Sequence, residues 1–162
     1  MSEQNTTQKQ ANSRHCFVCG VANPAGLHLK FYETGPGEVT AKYVVPEHFQ
    51  GYPGVVPGGI VASMLDEITG RSHMGSDPPR FMYTAKLEVR YHKTVPVGKP
   101  IRLVGRAGPS RGRTAAACGA IYDEHGTLLA EADALLVDVP ANVIDNTSLE
   151  ELGWKVYPDE AE

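Results

Sequence analysis

The sequence predicts an α+β domain in which a curled antiparallel sheet of about six strands wraps around one central helix. Three observations lead there. The stretch from Gly54 to Gly70 reads as a glycine-rich turn running straight into a helix. Two strand-like runs precede it, and four follow in a meander with short turns. The helix carries one apolar arc, and only a sheet that curls around it can bury that arc.

The elements follow in order. Residues 1–13 are polar and rich in Gln, Asn and Thr, and are expected to form a disordered tail. Arg14 to Gly26 is turn-rich. Leu27 to Tyr32 alternates with period two and predicts a strand, Gly35-Pro36-Gly37 a turn, and Val39 to Val45 the hairpin partner. His48 to Gly54 is a loop leading to the helix. Pro57 suits the first helical position, because its φ is already helical and its missing N–H would have been an orphan. The N–H groups of Gly58 and Gly59 then project from the helix start with the positive end of the dipole behind them.

Along the helix, Ile60, Val61, Met64, Leu65 and Ile68 fall in one arc at about 100° per residue. Glu67 lies at its edge. Asp66 lies almost opposite, on a stripe with Gly59, Ala62, Ser63 and Gly70. The helix is expected to stop between Gly70 and Gly75, with Asp77-Pro78-Pro79 as a break. Phe81 to Lys93 is a long strand with Tyr83, Ala85, Leu87, Val89 and Tyr91 on one face. Met82, Thr84, Lys86, Glu88, Arg90 and His92 take the other. Strands over Ile101 to Arg106, Thr114 to Tyr122 and Thr127 to Val139 follow, with turns at residues 97–100, 108–113 and 123–126. The domain therefore spans residues 14–140. Residues 141–162 form a polar extension with one helical turn near Ser148 to Leu152. The bare side of the helix needs a cover, and a second copy of the chain is the simplest one.

Composition narrows the function. The chain has 162 residues, 41% of them hydrophobic and 21% charged, as in one ordinary globular domain. A net charge of −4 and a pI near 5.9 argue against a nucleic-acid surface. No run approaches the ~18 apolar residues of a membrane span, and the N-terminus has no apolar signal region. Three cysteines make no disulfide framework, so cytoplasm is the expected compartment.

The helix start is a ready site for an anion or a developing oxyanion, with two carboxylates, Asp66 and Glu67, about two turns further on. Asp66 sits on the bare face and is the candidate catalytic acid. Glu67 is expected to pair with a strand residue. Cys16 and Cys19 form a lone Cys-x-x-Cys beside His15. A structural zinc site wants four ligands and no second pair exists, so no metal is expected.

Several stretches taken together resemble a family. They are Cys16-Phe17-Val18-Cys19-Gly20 with Asn23-Pro24-Ala25-Gly26-Leu27, and His48-Phe49-Gln50-Gly51-Tyr52-Pro53-Gly54-Val55-Val56. Gly58-Gly59-Ile60 with Leu65-Asp66-Glu67 follows, then residues 84–91, Pro96-Val97-Gly98 and residues 126–132. In this order they resemble the hotdog-fold acyl-CoA thioesterases, in particular the phenylacetate-pathway-type (PaaI-like) group, over roughly Cys16 to Val139.

The resemblance implies hydrolysis of acyl-CoA thioesters with coenzyme A as part of the substrate and no further cofactor. The backbone N–H of Gly58 would polarise the thioester carbonyl. Asp66, eight residues on, would be general base or nucleophile. Thr84, from the partner subunit, would assist. Gly59 and Glu67 would flank the substrate. The residue that places the attacking water in some relatives falls at Gly51, beside Gln50, and Arg111 and Arg113 would hold coenzyme A phosphates. A homodimer or dimer of dimers follows, with no nucleic-acid or membrane partner. The family usually has His-Gly-Gly at the helix start, whereas this chain has Pro57-Gly58-Gly59. That departure keeps a second reading in view, a non-catalytic acyl-CoA or small-ligand binding protein. A hydratase would want an Asp and His pair on the helix, which has no histidine before His73.

Overall fold

The structure is a computed structural model that describes residues 7–75 and 78–160. Its strands are β1 (Gln8–Lys9), β2 (Tyr32–Gly35), β3 (Glu38–Val44), β4 (Met82–Tyr91), β5 (Pro100–Arg111), β6 (Thr114–Asp123) and β7 (Leu128–Asp138). The α-helices are α1 (Gly58–Ser72) and α2 (Asn146–Glu151), and a single 3-10 turn covers Glu47–Phe49. All seven strands form one open antiparallel sheet in the order β1-β2-β3-β5-β6-β7-β4. Helix α1 lies in the hollow of the sheet, against β3, β4, β5, β6 and β7. Among the described residues no helix is long and apolar enough to cross a membrane.

The helix buries Val61, Met64, Leu65 and Ile68 completely, which is the predicted apolar arc with Ile60 half-buried at its margin. It can lie that close because the sheet beneath it is bare. Gly105 of β5 is registered with Gly119 of β6, and the same row continues to Ala132 of β7. A Cβ on Gly105 would stand 2.3 Å from the carbonyl oxygen of Ile68, and one on Gly119 would stand 3.1 Å from Ile68 Cγ2. No side chain fits at Gly105 without moving the helix.

Four expectations change. Of the tail predicted over residues 1–13, residues 1–6 lie outside the described part, while Gln8–Lys9 joins the sheet and Gln10, Asn12 and Ser13 are buried. Polar composition concealed this, because those side chains satisfy buried partners: Asn12 Nδ2 donates to the Leu29 carbonyl at 3.0 Å. The strand expected at Leu27 to Tyr32 begins only at Tyr32. Leu27, Leu29 and Phe31 do point inward, but the backbone there bonds to the loop and the N-terminal segment, Leu29 N to Val18 O at 2.9 Å. The turn expected over residues 108–113 shrinks to the end of a longer hairpin, turning at Gly112 with φ +61°. Gly108 and Pro109 are absorbed as a register shift between Ala107 and Ser110. Pro57 is the residue before the helix, with extended ψ of 149°, and Gly58 is the first helical residue. Asp77 of the expected break lies outside the described residues.

The glycine row makes a prediction. Gly105→Ala should lower the melting temperature by on the order of 5–10 °C, as expected for severe overpacking in a domain of this size. Gly119→Ala should lower it less, because its neighbours are side-chain methyls that can shift. Thermal denaturation of both variants checks the order.

Candidate active site

The stripe Gly59, Ala62, Ser63, Asp66 and Gly70 stays only partly covered, as the helical spacing predicted. On it, Asp66 Oδ1 accepts a 2.6 Å hydrogen bond from Thr84 Oγ1. Simple alternation put Thr84 on the outward face of its strand with Lys86 and Glu88. A bulge at Ala85 reverses that: Thr84 pairs with Leu136 while Lys86 pairs with Leu135, so one residue is extra on β4. Met82 and Thr84 therefore face the helix together with Leu87, Val89 and Tyr91, and Ala85 absorbs the change. Within one chain Thr84 reaches Asp66 directly.

The helix start is set at the other end of the same strand. Tyr91 Oη donates to the carbonyl oxygen of Gly58 at 2.7 Å, and no side chain caps the helix. The N–H groups of Gly58 and Gly59 have no intrahelical acceptor and lie exposed. Gly51 packs against Pro57, where a Cβ would come within 3.2 Å of Pro57 Cβ. The side chain of Gln50 turns back, its Oε1 accepting from Gly54 N at 3.2 Å, and so braces the loop. Gly58 and Asp66 are eight residues apart, about 12 Å along the helix axis. One chain does not bring both to a single carbonyl.

Beside Asp66 opens a cavity of about 520 Å³. Its apolar wall includes Phe81, Met82, Ile144, Leu149, Leu152 and Trp154, and Asp66, Thr84, Glu67, Arg71, Arg80, His15, Cys16 and Cys19 are among the residues that line the rest. Part of that wall comes from the C-terminal segment expected to be merely polar. There Asp145 caps α2 by accepting from Ser148 N at 2.8 Å, and Trp154 stands edge-on to Phe81 at 5.1 Å between centroids. Arg111 and Arg113 sit exposed at the tip of the β5–β6 hairpin and do not line this cavity. Arg80 does, held by Asp138 at 2.7 Å and Ser110 at 2.8 Å.

Glu67 finds its partner on its own helix, where Arg71 Nε donates to Glu67 Oε1 at 2.8 Å, and not on a strand. Arg71 is 2% exposed, the largest fully buried side chain among the described residues. Its guanidinium donates to the Ala11 carbonyl at 2.7 Å and lies 4.2 Å over the Phe31 ring. It ties the N-terminal segment to the helix. Nothing in helical spacing marks a buried arginine. Its one sequence signal is the Glu67-to-Arg71 interval of four residues.

Cys16 and Cys19 lie next to Glu67, one ligand atom from each falling within 4.8 Å of the others. The neighbouring Cys19 side chain holds the Cys16 pKa down to about 6, against burial and the Glu67 charge. The Cys16 side chain, with burial and Glu67, pushes Cys19 up. These three groups can hold a metal ion, and the sequence offered only the cysteine pair, set aside there for want of further ligands.

Solved structures share this architecture. A thioesterase superfamily protein superposes with a TM-score of 0.70 at 29% identity, covering 77% of this chain; the match spans 61% of that protein's length. The fold is the hotdog fold. A phenylacetic acid degradation-related protein from Ralstonia eutropha JMP134 shares it at 22% identity and a TM-score of 0.61, covering 68% of this chain and 85% of its own. A Streptococcus mutans UA159 protein bound to acetyl CoA does so at 17% and 0.62, over 68% of this chain and 88% of its own. No family model and no curated protein matches the chain. In this hotdog chain α1 is the central helix, and Asp66 projects from it toward β4, beside the cavity.

Arg71→Met should cost about 3 kcal/mol, the low end for breaking a buried ion pair, because Glu67 keeps some solvent contact. Urea denaturation measures that loss, and hydrogen exchange should quicken first at residues 8–13.

Proposed function

We propose that the protein hydrolyses acyl-CoA thioesters to a free acid and coenzyme A, with its active site between two copies of the chain. The observation that carries this reading is Asp66, oriented by Thr84 at the mouth of a largely apolar cavity. A cavity of this size suits an acyl group. The acid faces it from a helix whose start offers unpaired N–H groups, on a fold shared with thioesterase superfamily proteins.

In this reading the thioester carbonyl oxygen accepts from the N–H of Gly58, which stabilises the oxyanion as the carbon becomes tetrahedral. Asp66 takes a proton from the attacking water. The C–S bond then breaks, and the coenzyme A thiolate leaves with the proton that Asp66 held. Direct attack by Asp66 through an anhydride uses the same contacts, followed by water on the anhydride. Thr84 holds Oδ1, which leaves Oδ2 for the reacting atom.

The separation of about 12 Å between Gly58 and Asp66 calls for two chains. A two-fold partner can bring its own helix start beside Asp66. The open outer edge of β4 and the small-residue stripe of α1 are the surfaces for a homodimer, or a dimer of dimers. Two such sites would form per pair.

A panel of aromatic, short-chain and medium-chain acyl-CoAs, with thiol release monitored, tests this. Asp66→Asn should lower kcat by about 10²–10⁴-fold, and Thr84→Val by on the order of tenfold. Size-exclusion chromatography with light scattering should return a dimer or tetramer. Saturable binding of acyl-CoA with no turnover of any substrate would replace hydrolysis by ligand binding. Equal turnover in the wild type and Asp66→Asn would remove Asp66 from the mechanism.

A further inference from the structure

We propose that Cys16, Cys19 and Glu67 form a zinc-binding site whose fourth coordination position opens into the cavity beside Asp66. The two sulfurs and a carboxylate oxygen already lie within 4.8 Å of one another. In a tetrahedral site with Zn–S near 2.3 Å and Zn–O near 2.0 Å, the sulfurs stand about 3.8 Å apart and each sulfur about 3.5 Å from the oxygen, so the pairs need to close by at most about 1.3 Å. Rotation of the cysteine and glutamate side chains covers that distance. The ligands come from two elements, a tight loop and helix α1, which explains why cysteine spacing alone did not reveal the third.

The surroundings fit metal-bound thiolates. Val18 N donates to Cys16 Sγ at 3.3 Å, and Ser13 Oγ lies 3.7 Å from Cys19 Sγ. The loop that presents both sulfurs closes through Gly20 N on the Cys16 carbonyl at 2.8 Å. A Cβ at Gly20 would come within 2.3 Å of that same oxygen, so a glycine follows the second cysteine of necessity. On the helix, Arg71 orients the carboxylate through Oε1, and among the described residues Oε2 has no partner. That is the relation of an outer-shell donor to a metal ligand.

Charge also balances. Two thiolates and one carboxylate carry three negative charges, and Arg71 with a divalent ion carries three positive ones. Thiolate ligands select zinc over magnesium or calcium. All three ligands line the cavity, and the open position faces it. Three protein ligands with one free position is the pattern of a zinc that binds water or a ligand. The site stands independently of thioester hydrolysis, because its ligands do not include Asp66 or Gly58.

The test uses untagged protein, stripped with a chelator, kept in a phosphine reductant and titrated with Zn(II) alone against a chromophoric indicator. One Zn(II) per chain is expected. Co(II) should give intense sulfur-to-metal charge-transfer absorption in the near ultraviolet with a four-coordinate visible spectrum. Cys16→Ser and Cys19→Ser should weaken Zn(II) binding by more than about 100-fold, the upper end of what loss of an outer-shell partner costs. Glu67→Gln, which keeps an acceptor for Arg71, should weaken it as well. Cys118→Ser, on the exposed face of β6, should leave it unchanged, and circular dichroism confirms that each variant is folded. No Zn(II) uptake by the folded, reduced protein would overturn the proposal. So would undiminished binding in Cys16→Ser, or loss of binding in Cys118→Ser.

Discussion

Helix α1 can lie in its sheet only because Gly105 and Gly119 leave nothing between the Ile68 turn and the strands below. A single methyl at Gly105 would push against a backbone carbonyl, which cannot swing aside as a side chain can. This contact fixes the helix in height and rotation. With Val61, Met64, Leu65 and Ile68 facing down, Asp66 and Glu67 are turned sideways and upward, toward β4 and the N-terminal loop. The positions of both candidate sites follow from where the helix rests.

Two neighbouring acids thereby acquire different surroundings. Asp66 meets a hydroxyl from an exposed edge strand and a cavity with an apolar wall. Glu67, one residue on and about 100° round the helix, meets a buried guanidinium and two sulfurs. Each arrangement depends on a local irregularity. The bulge at Ala85 aims Thr84, and the tight Cys16-to-Gly20 loop aims the thiols. Arg71 ties the helix to the N-terminal segment through Ala11, lies over Phe31, and stands 5.4 Å from the ring of Trp154, which lines the cavity.

Much of this was legible in the residues. Period-two runs located the sheet, the 3.6-residue period located the helix and its buried arc, and the bare stripe singled out Asp66. What periodicity could not show were features that break it. One extra residue in β4 moved Thr84 from the outer face to the inner one, and no composition signal marks a bulge. Gln10, Asn12 and Ser13 read as tail because burial of Gln10 and Asn12 rests on partners far along the chain. Pairing of Gly105 with Gly119 is a fact of register between strands, and the grouping of Glu67 with Cys16 and Cys19 is one of tertiary contact. Arg111 and Arg113 were read from their turn alone, and neither lines the cavity.

The central claim is that the helix start and Asp66 act on the same thioester only across two chains. Complementation tests it most directly. Gly58→Pro removes the N–H and fits the extended ψ of Pro57, while its Cβ comes within 3.3 Å of the Tyr91 hydroxyl, the end of a side chain that can shift. Asp66→Asn removes the acid. Each homo-oligomer should be nearly inactive. Mixed oligomers, refolded from both variants together, contain pairs in which one site has both groups intact. The account predicts that the mixture regains about a quarter of wild-type turnover, the statistical yield when half of the pairs are mixed and each holds one intact site. A mixture as inactive as its parents would contradict it, because both groups would then have to come from one chain.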